Sequence, residues 1–211
     1  MNIYILSDKK VDGAINLPVF KIDHIRKNID FSSYDALVIT SKNAIYSIES
    51  FDKSWREIPT YAIAKQTANT IEKFGGNLKF IGSSGHGDQF AKELIPKLKG
   101  KKVLYPRAFK VVSNLVDILN KNGVVCEESI VYETVCKDDI EDIKLVDKSI
   151  IIFSSPSTVN CFLENFIWDD SFRAICIGDT TAKYLPSYIK PIISDITSLN
   201  SCVQKAIELY Y

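Results

Sequence analysis

The chain has 211 residues, 46% of them hydrophobic, with 26 Lys plus Arg balanced by 26 Asp plus Glu. That length allows one large α/β domain or two small ones, and zero formal charge excludes a dedicated nucleic-acid binder, which needs a positive excess to neutralise phosphates. The longest apolar runs, such as 150–153, are four or five residues, against about 20 for a bilayer span; no basic leader precedes Ile3 to Leu6, so no membrane span or cleaved signal peptide is expected and the expected compartment is the cytoplasm.

Short β-branched runs alternate with helical patterns along the chain, which predicts parallel sheets flanked by helices. In chain order the expected strands are Ile3 to Leu6, Leu37 to Ile39, Thr60 to Ala64, Leu78 to Ile81, Val103 to Tyr105, Ser149 to Phe153, Ala174 to Ile177 and Pro191 to Ile193. Between them, apolar residues recur at helical spacing: Ile45, Ile48, Phe51; Phe90, Leu94, Leu98; Val111, Leu115, Ile118; Val159, Phe162, Phe166; Leu199, Val203, Ile207. Such stripes are core faces. The five cysteines, Cys126, Cys136, Cys161, Cys176 and Cys202, are odd in number and never paired as Cys-x-x-Cys, so they read as reduced thiols used in packing. Neither His24 nor His86 has a partner at metal-ligand spacing, so no metal site is expected. The glycine-rich segment Gly82 to Gly87 lacks the Gly-Lys-Ser/Thr ending of a nucleotide loop, and no Gly-x-Gly-x-x-Gly follows a strand.

A duplication organises these elements. Val38-Ile39-Thr40-Ser41-Lys42-Asn43 aligns with Ile152-Phe153-Ser154-Ser155-Pro156-Ser157, from 38 to 152, an offset of 114. Ile63-Ala64-Lys65-Gln66-Thr67-Ala68 aligns with Ile177-Gly178-Asp179-Thr180-Thr181-Ala182 at the same offset, from 63 to 177. The first copy has a fourth strand ending at Tyr105; the second lacks one, and Asn2 to Leu6 is the orphan able to supply it. The fold expected is therefore α/β, with two similar parallel-sheet, flavodoxin-like lobes and one of them discontinuous. Its parts are residues 1–17 plus 137–211, an inserted lobe 26–127, and a two-stranded linker, 18–25 and 128–136, that sets a cleft between lobes. The acidic stretch Asp138 to Asp142 reads as a solvated linker or helix face.

Open parallel sheets bind ligands beyond the carboxyl ends of their strands, at helix N-termini. Thr40, Ser41, Ser154, Ser155 and Ser157 fall there, as do Thr67, Thr180 and Thr181. Helix capping accounts for such hydroxyls without a ligand, at about 1 kcal/mol each; facing donor arrays for an anionic, many-armed ligand are the functional alternative. Lys65, Arg107 and Lys110 follow strand ends, where they either meet carboxylates or lie in solvent. Tyr132 sits on the return crossing, and alternation puts it with Ile130 and Thr134, opposite Val131, Glu133 and Val135. It either packs across the linker ribbon or faces the cleft. No general acid/base constellation emerges elsewhere, and Cys126 has no evident partner.

With these residues in view, the sequence resembles the uroporphyrinogen-III synthase family. The resemblance runs nearly end to end through Ile39 to Ala44, Ile63 to Ala68, Tyr105-Pro106-Arg107, Ile130-Val131-Tyr132-Glu133-Thr134, Phe153 to Ser157 and Ile177 to Ala182. Each motif is weak alone; their order and spacing are specific. The resemblance implies a cofactor-independent lyase that closes hydroxymethylbilane with inversion of ring D, through a spiro intermediate and loss of water, in haem biosynthesis. It implies no metal and no organic cofactor, a monomer, and a transient hand-over of substrate from hydroxymethylbilane synthase. Carried onto this chain, it makes Tyr132 the catalytic tyrosine and Thr40, Ser41, Lys42, Lys65, Thr67, Arg107, Ser155, Ser157, Thr180 and Thr181 the substrate contacts. Asn43 stands where many members have a basic residue, and Ala108 to Val112 departs from a Gly and second basic residue after Arg107. Ser7 to Leu17 is too short and broken for the helix that members have after the first strand. A two-lobed binding or sensor protein without catalysis is the competing reading; it explains the duplication but not the motif set.

Overall fold

The computed structural model describes residues 2–138, 140 and 143–209; Asp139, Glu141 and Asp142 of the acidic stretch lie outside them. The chain opens with strand β1 (Ile3–Leu6), a two-residue strand β2 (Ile15–Asn16) and β3 (Phe20–His24). A regular α/β alternation follows: β4 (Ala36–Ile39), α1 (Lys42–Phe51), β5 (Thr60–Ala62), α2 (Lys65–Lys73), β6 (Leu78–Ile81), α3 (Gly87–Leu98), β7 (Lys102–Ala108), α4 (Leu115–Lys121) and the long strand β8 (Val125–Cys136). The second copy comprises β9 (Ile150–Phe153), α5 (Pro156–Asn165), β10 (Arg173–Cys176), α6 (Asp179–Ala182), β11 (Pro191–Ile193) and α7 (Leu199–Glu208).

Two units result, Ile22–Glu133 and the discontinuous Met1–Lys21 with Thr134–Tyr211. The inserted unit carries a sheet in the order β3-β8-β7-β4-β5-β6, and the discontinuous unit one in the order β11-β10-β9-β1-β2. Superposed by the repeat, β4, β5, β6 and β7 correspond to β9, β10, β11 and β1. The N-terminal strand fills the vacant place by pairing parallel to β9, with Ile3 opposite Ile150 and Leu6 opposite Phe153. The strand order reverses between β4 and β7 in one unit and between β9 and β1 in the other. In open α/β sheets that switch point is where ligands sit.

Strands buried on both faces need apolar residues at consecutive positions, and Ala36-Leu37-Val38-Ile39 and Ile150-Ile151-Ile152-Phe153 are buried throughout. Alternation divides each run between two cores. In the inserted unit Ala36 and Val38 pack with Phe90, Leu94, Leu115 and Leu119, while Leu37 and Ile39 pack with Ile45, Ile48, Trp55 and Ile71. In the other unit Ile151 and Phe153 meet Val159 and Phe162, and Ile150 and Ile152 meet Cys202 and Val203.

Three expectations are corrected. Val111 does not belong to the helical stripe: α4 begins at Leu115, and Val111 is exposed in the preceding loop. Polar Ser113 and Asn114 separate it from the periodic residues, and Asn114 is the helix N-cap. The cysteines are not all free, because Cys136, the last residue of β8, is disulfide-bonded to Cys161 of α5. Sequence spacing could not reveal a pair brought together by packing. Finally, β8 combines two functions that the sequence reading separated: Val125 to Ile130 extend the inserted unit's sheet parallel to β7 before the chain crosses out of the unit.

The segment between β1 and β2 has turns in place of a helix. Gly13 lies there with φ +86°, the left-handed region that glycine tolerates best; a Cβ at this position would come within 3.2 Å of Val203 on α7. Among the described residues no helix is long and apolar enough to cross a membrane.

Candidate functional site

At the switch point of the inserted unit, the end of β4 delivers Thr40 and Ser41 beside β7 and β8. The hydroxyls of Thr40 and Tyr105 form a hydrogen bond of 3.0 Å. Ser41 is the N-cap of α1, its Oγ accepting the Asn43 N–H at 3.2 Å, and its side chain also hydrogen-bonds the Tyr132 phenol. Tyr132 is buried at 8% exposure among Leu37, Ile39, Ala44, Leu104 and Val131. Burial raises its pKa above the ordinary tyrosine value of 10.0, and the Ser41 hydrogen bond opposes part of that rise. Tyr105 is raised chiefly by burial too, against the Thr40 hydrogen bond. Each phenol thus stays protonated beside a hydroxyl from the end of β4, Tyr105 on the sheet face packed with Phe90 and Leu94 and Tyr132 on the face packed with Ile45 and Ile48. Sequence places Tyr105 in a strand and in the Tyr105-Pro106-Arg107 motif but assigns it no site role; its bond to Thr40 depends on the pairing of β4 with β7.

Alternation along β8 does not hold at Tyr132. The register with β7 shifts so that Arg107 faces Ile130 and Ala108 faces Tyr132. A bulge of this kind turns two successive residues toward one side, and Val131 and Tyr132 share one apolar cluster.

The discontinuous unit repeats the arrangement without the tyrosines. Ser154, the counterpart of Thr40, donates its hydroxyl to the Leu6 carbonyl on the neighbouring strand. Ser155 caps α5 in a reciprocal capping box with Thr158, and Pro156 and Ser157 start the helix. Capping thus accounts for the side chains of Ser41 and Ser155. Ser155→Ala is expected to cost about 1 kcal/mol of stability, read as a lower urea midpoint with unchanged slope.

The second helix of each unit differs. The N-caps of α2 and α6 are Ala64 and Gly178, and neither makes a side-chain capping bond. Thr67 and Thr181 are not caps; they are buried inside these helices, at 5% and 3% exposure, while Lys65 and Thr180 are exposed at the helix starts. An α-helix leaves its first N–H groups unsatisfied, so the start of α2 presents main-chain donors beside an exposed Lys65. Lys42 lies in the first turn of α1, partly buried. Arg107 is engaged within the protein: its guanidinium donates to the carbonyls of Ala108 and Phe109 at 2.7 and 2.9 Å and to the Glu128 carboxylate at 2.5 Å. Among the described residues, no three His, Cys, Asp or Glu side chains cluster as a metal site.

The duplicated parallel sheets, with hydroxyls and helix starts at the carboxyl ends of their strands, define a two-unit α/β protein. A family model described as uroporphyrinogen-III synthase HemD matches residues 13–204. The chain belongs to the uroporphyrinogen-III synthase family. It is similar to the crystal structure of uroporphyrinogen-III synthetase from Helicobacter pylori 26695, at 30% identity and TM-score 0.86, over 99% of this chain and 100% of that one. A mutant uroporphyrinogen III synthase from the extremely thermophilic bacterium Thermus thermophilus shares the fold, at 12% identity and TM-score 0.54, over 98% of each chain. Comparison with curated proteins returns no match.

Proposed function

We propose that this chain closes the linear tetrapyrrole hydroxymethylbilane to uroporphyrinogen III, as a lyase that eliminates water. The observation that carries the reading is the match of the uroporphyrinogen-III synthase family model to residues 13–204 of this chain. Hydroxymethylbilane is already reactive: loss of its hydroxyl leaves an electrophilic azafulvene that cyclises head to tail to the type I isomer when unassisted. The enzyme's task is to hold the chain so that the electrophile attacks the substituted carbon of ring D. The spiro intermediate then fragments and recloses with that ring inverted. This is catalysis by positioning.

Tyr132, kept protonated by burial, donates a proton to the departing hydroxyl, which leaves as water. The proton is replaced by the one that the free α-carbon of ring D releases at final closure. Substrate carboxylates are assigned to Thr40, Ser41, Lys42, Lys65 and Thr67 in the inserted unit and to Ser155, Ser157, Thr180 and Thr181 in the other. The uncapped start of α2, which carries no acidic residue, supports the inserted-unit part of this assignment, because free main-chain N–H groups and the helix dipole favour anions. A chain with no net charge can bind a polyanion by such local donors. We further assign a monomer acting in the cytoplasm, receiving its labile substrate from hydroxymethylbilane synthase.

The test supplies freshly generated hydroxymethylbilane and separates the oxidised uroporphyrin isomers. Type III product is expected to dominate. Type I alone, at the rate of the enzyme-free control, rejects the enzyme and leaves a binding protein.

A further inference from the structure

The bulge in β8 puts Tyr132 where it is, and one side chain braces it. Val131 is the extra residue of the bulge, fully buried, with its carbonyl accepting the Ile25 N–H at 2.7 Å and the Ser47 hydroxyl. The next carbonyl, that of Tyr132, accepts the N–H of Phe109 at 2.9 Å. Phe109 is the first residue beyond β7, and its own carbonyl and that of Ala108 are both held by Nη1 of Arg107. Nη2 reaches back to Glu128 on β8, which faces Tyr105 in the ladder. The Arg107 side chain is only 13% exposed, and its Nε is buried without an acceptor.

We propose that Arg107 is a positioning residue for the ring closure, one that fixes the β7 end against the bulge and so aims the Tyr132 phenol at Ser41. The proposal rests on the reading of Tyr132 as proton donor. A planar guanidinium suits the task, because one rigid fork serves the last carbonyl of its own strand, the first one beyond it and a carboxylate on the next strand; a lysine ammonium is a point charge on a flexible stem. An unpartnered Nε follows, since the two strands, and not the full donor set, dictate the orientation of the fork. A guanidinium already neutralised by Glu128 and shared between two carbonyls has little left to offer a substrate carboxylate. Glu128 is the informative partner, because its negative charge suits it poorly to bind a polyanionic substrate.

The experiment measures kcat and KM for type III formation in Arg107→Lys, Arg107→Met, Glu128→Gln and Tyr132→Phe, with hydrogen exchange of the Phe109 amide read by NMR. Arg107→Met and Glu128→Gln are expected to lower kcat in the same direction, about tenfold, as misplacement of a reacting group does, with KM little changed and Phe109 exchange faster. Arg107→Lys keeps the charge should the Met variant fold poorly, and is expected to show the same kcat loss. A raised KM with unchanged kcat in Arg107→Lys, paired with a lowered KM in Glu128→Gln, overturns the proposal and makes Arg107 a substrate ligand. Unchanged Phe109 exchange overturns it as well. A silent Tyr132→Phe beside faster Phe109 exchange removes the tyrosine from the mechanism while supporting the brace.

Discussion

Tyr132→Phe is expected to slow type III closure about 100-fold, the low end of the range for a lost general acid, because the substrate hydroxyl departs readily without help. The substitution removes one oxygen and its hydrogen bond to Ser41, so the stability change is about 1 kcal/mol and the fold is retained. Wild-type kcat should show no alkaline fall in the neutral range. A proton donor must be protonated to act; burial raises the Tyr132 pKa above 10.0, so the alkaline limb moves up, beyond that value. Rates with isomer analysis, from neutral pH upward, check both statements. An unchanged rate in the variant, or a wild-type limb near pH 7 that the variant lacks, contradicts the assigned role.

Reducing the Cys136–Cys161 bond is expected to lower the stability of the discontinuous unit by about 3 kcal/mol, the chain-entropy estimate for a loop of this size, the two residues being 25 apart. The bond fastens the end of β8 to α5, the helix that follows β9. Nothing in the inserted unit is crosslinked: Cys126 is its one cysteine, and it is free. Urea unfolding with and without dithiothreitol measures the difference, with Cys136→Ala/Cys161→Ala as the reductant-independent control. Thiol titration in denaturant should find three groups before reduction and five after it. In native protein the three free thiols should react slowly with alkylating agents, because Cys126 and Cys176 are pushed up to about 12 by burial and Cys202 is raised by the same cause. Five thiols in protein equilibrated with an oxidising glutathione buffer, with no effect of dithiothreitol on stability, would refute the crosslink. In a reducing cytoplasm the bond is expected to open.

Much of the architecture is written in short-range pattern. Four consecutive apolar residues at 36–39 and at 150–153, each followed by a helical pattern, suit strands buried on both faces of a parallel sheet, and the 114-residue repeat extends that reading from one unit to the other. The orphan status of Ile3 to Leu6 followed from counting strands, and its pairing with β9 agrees. At the site, Thr40, Ser41 and Tyr132 were visible as residue types, but not that Thr40 bonds Tyr105 on one face of the sheet while Ser41 lies by Tyr132 on the other. The roles of their neighbours were not visible. Thr67 and Thr181 look like caps in sequence but lie buried within their helices, because the cap position falls on Ala64 and Gly178.

The sequence alone thus determined the strand and helix alternation, the duplication and the family, since each depends on periodicity or on ordered motifs that need no knowledge of distant contacts. Tertiary structure alone decided the disulfide partners, the bulge that turns Val131 and Tyr132 to one side, and the engagement of Arg107. Each of these depends on which strand lies beside which, and in what register. A one-residue shift in pairing reverses the side a residue faces, and no local pattern in β8 announces where that shift occurs.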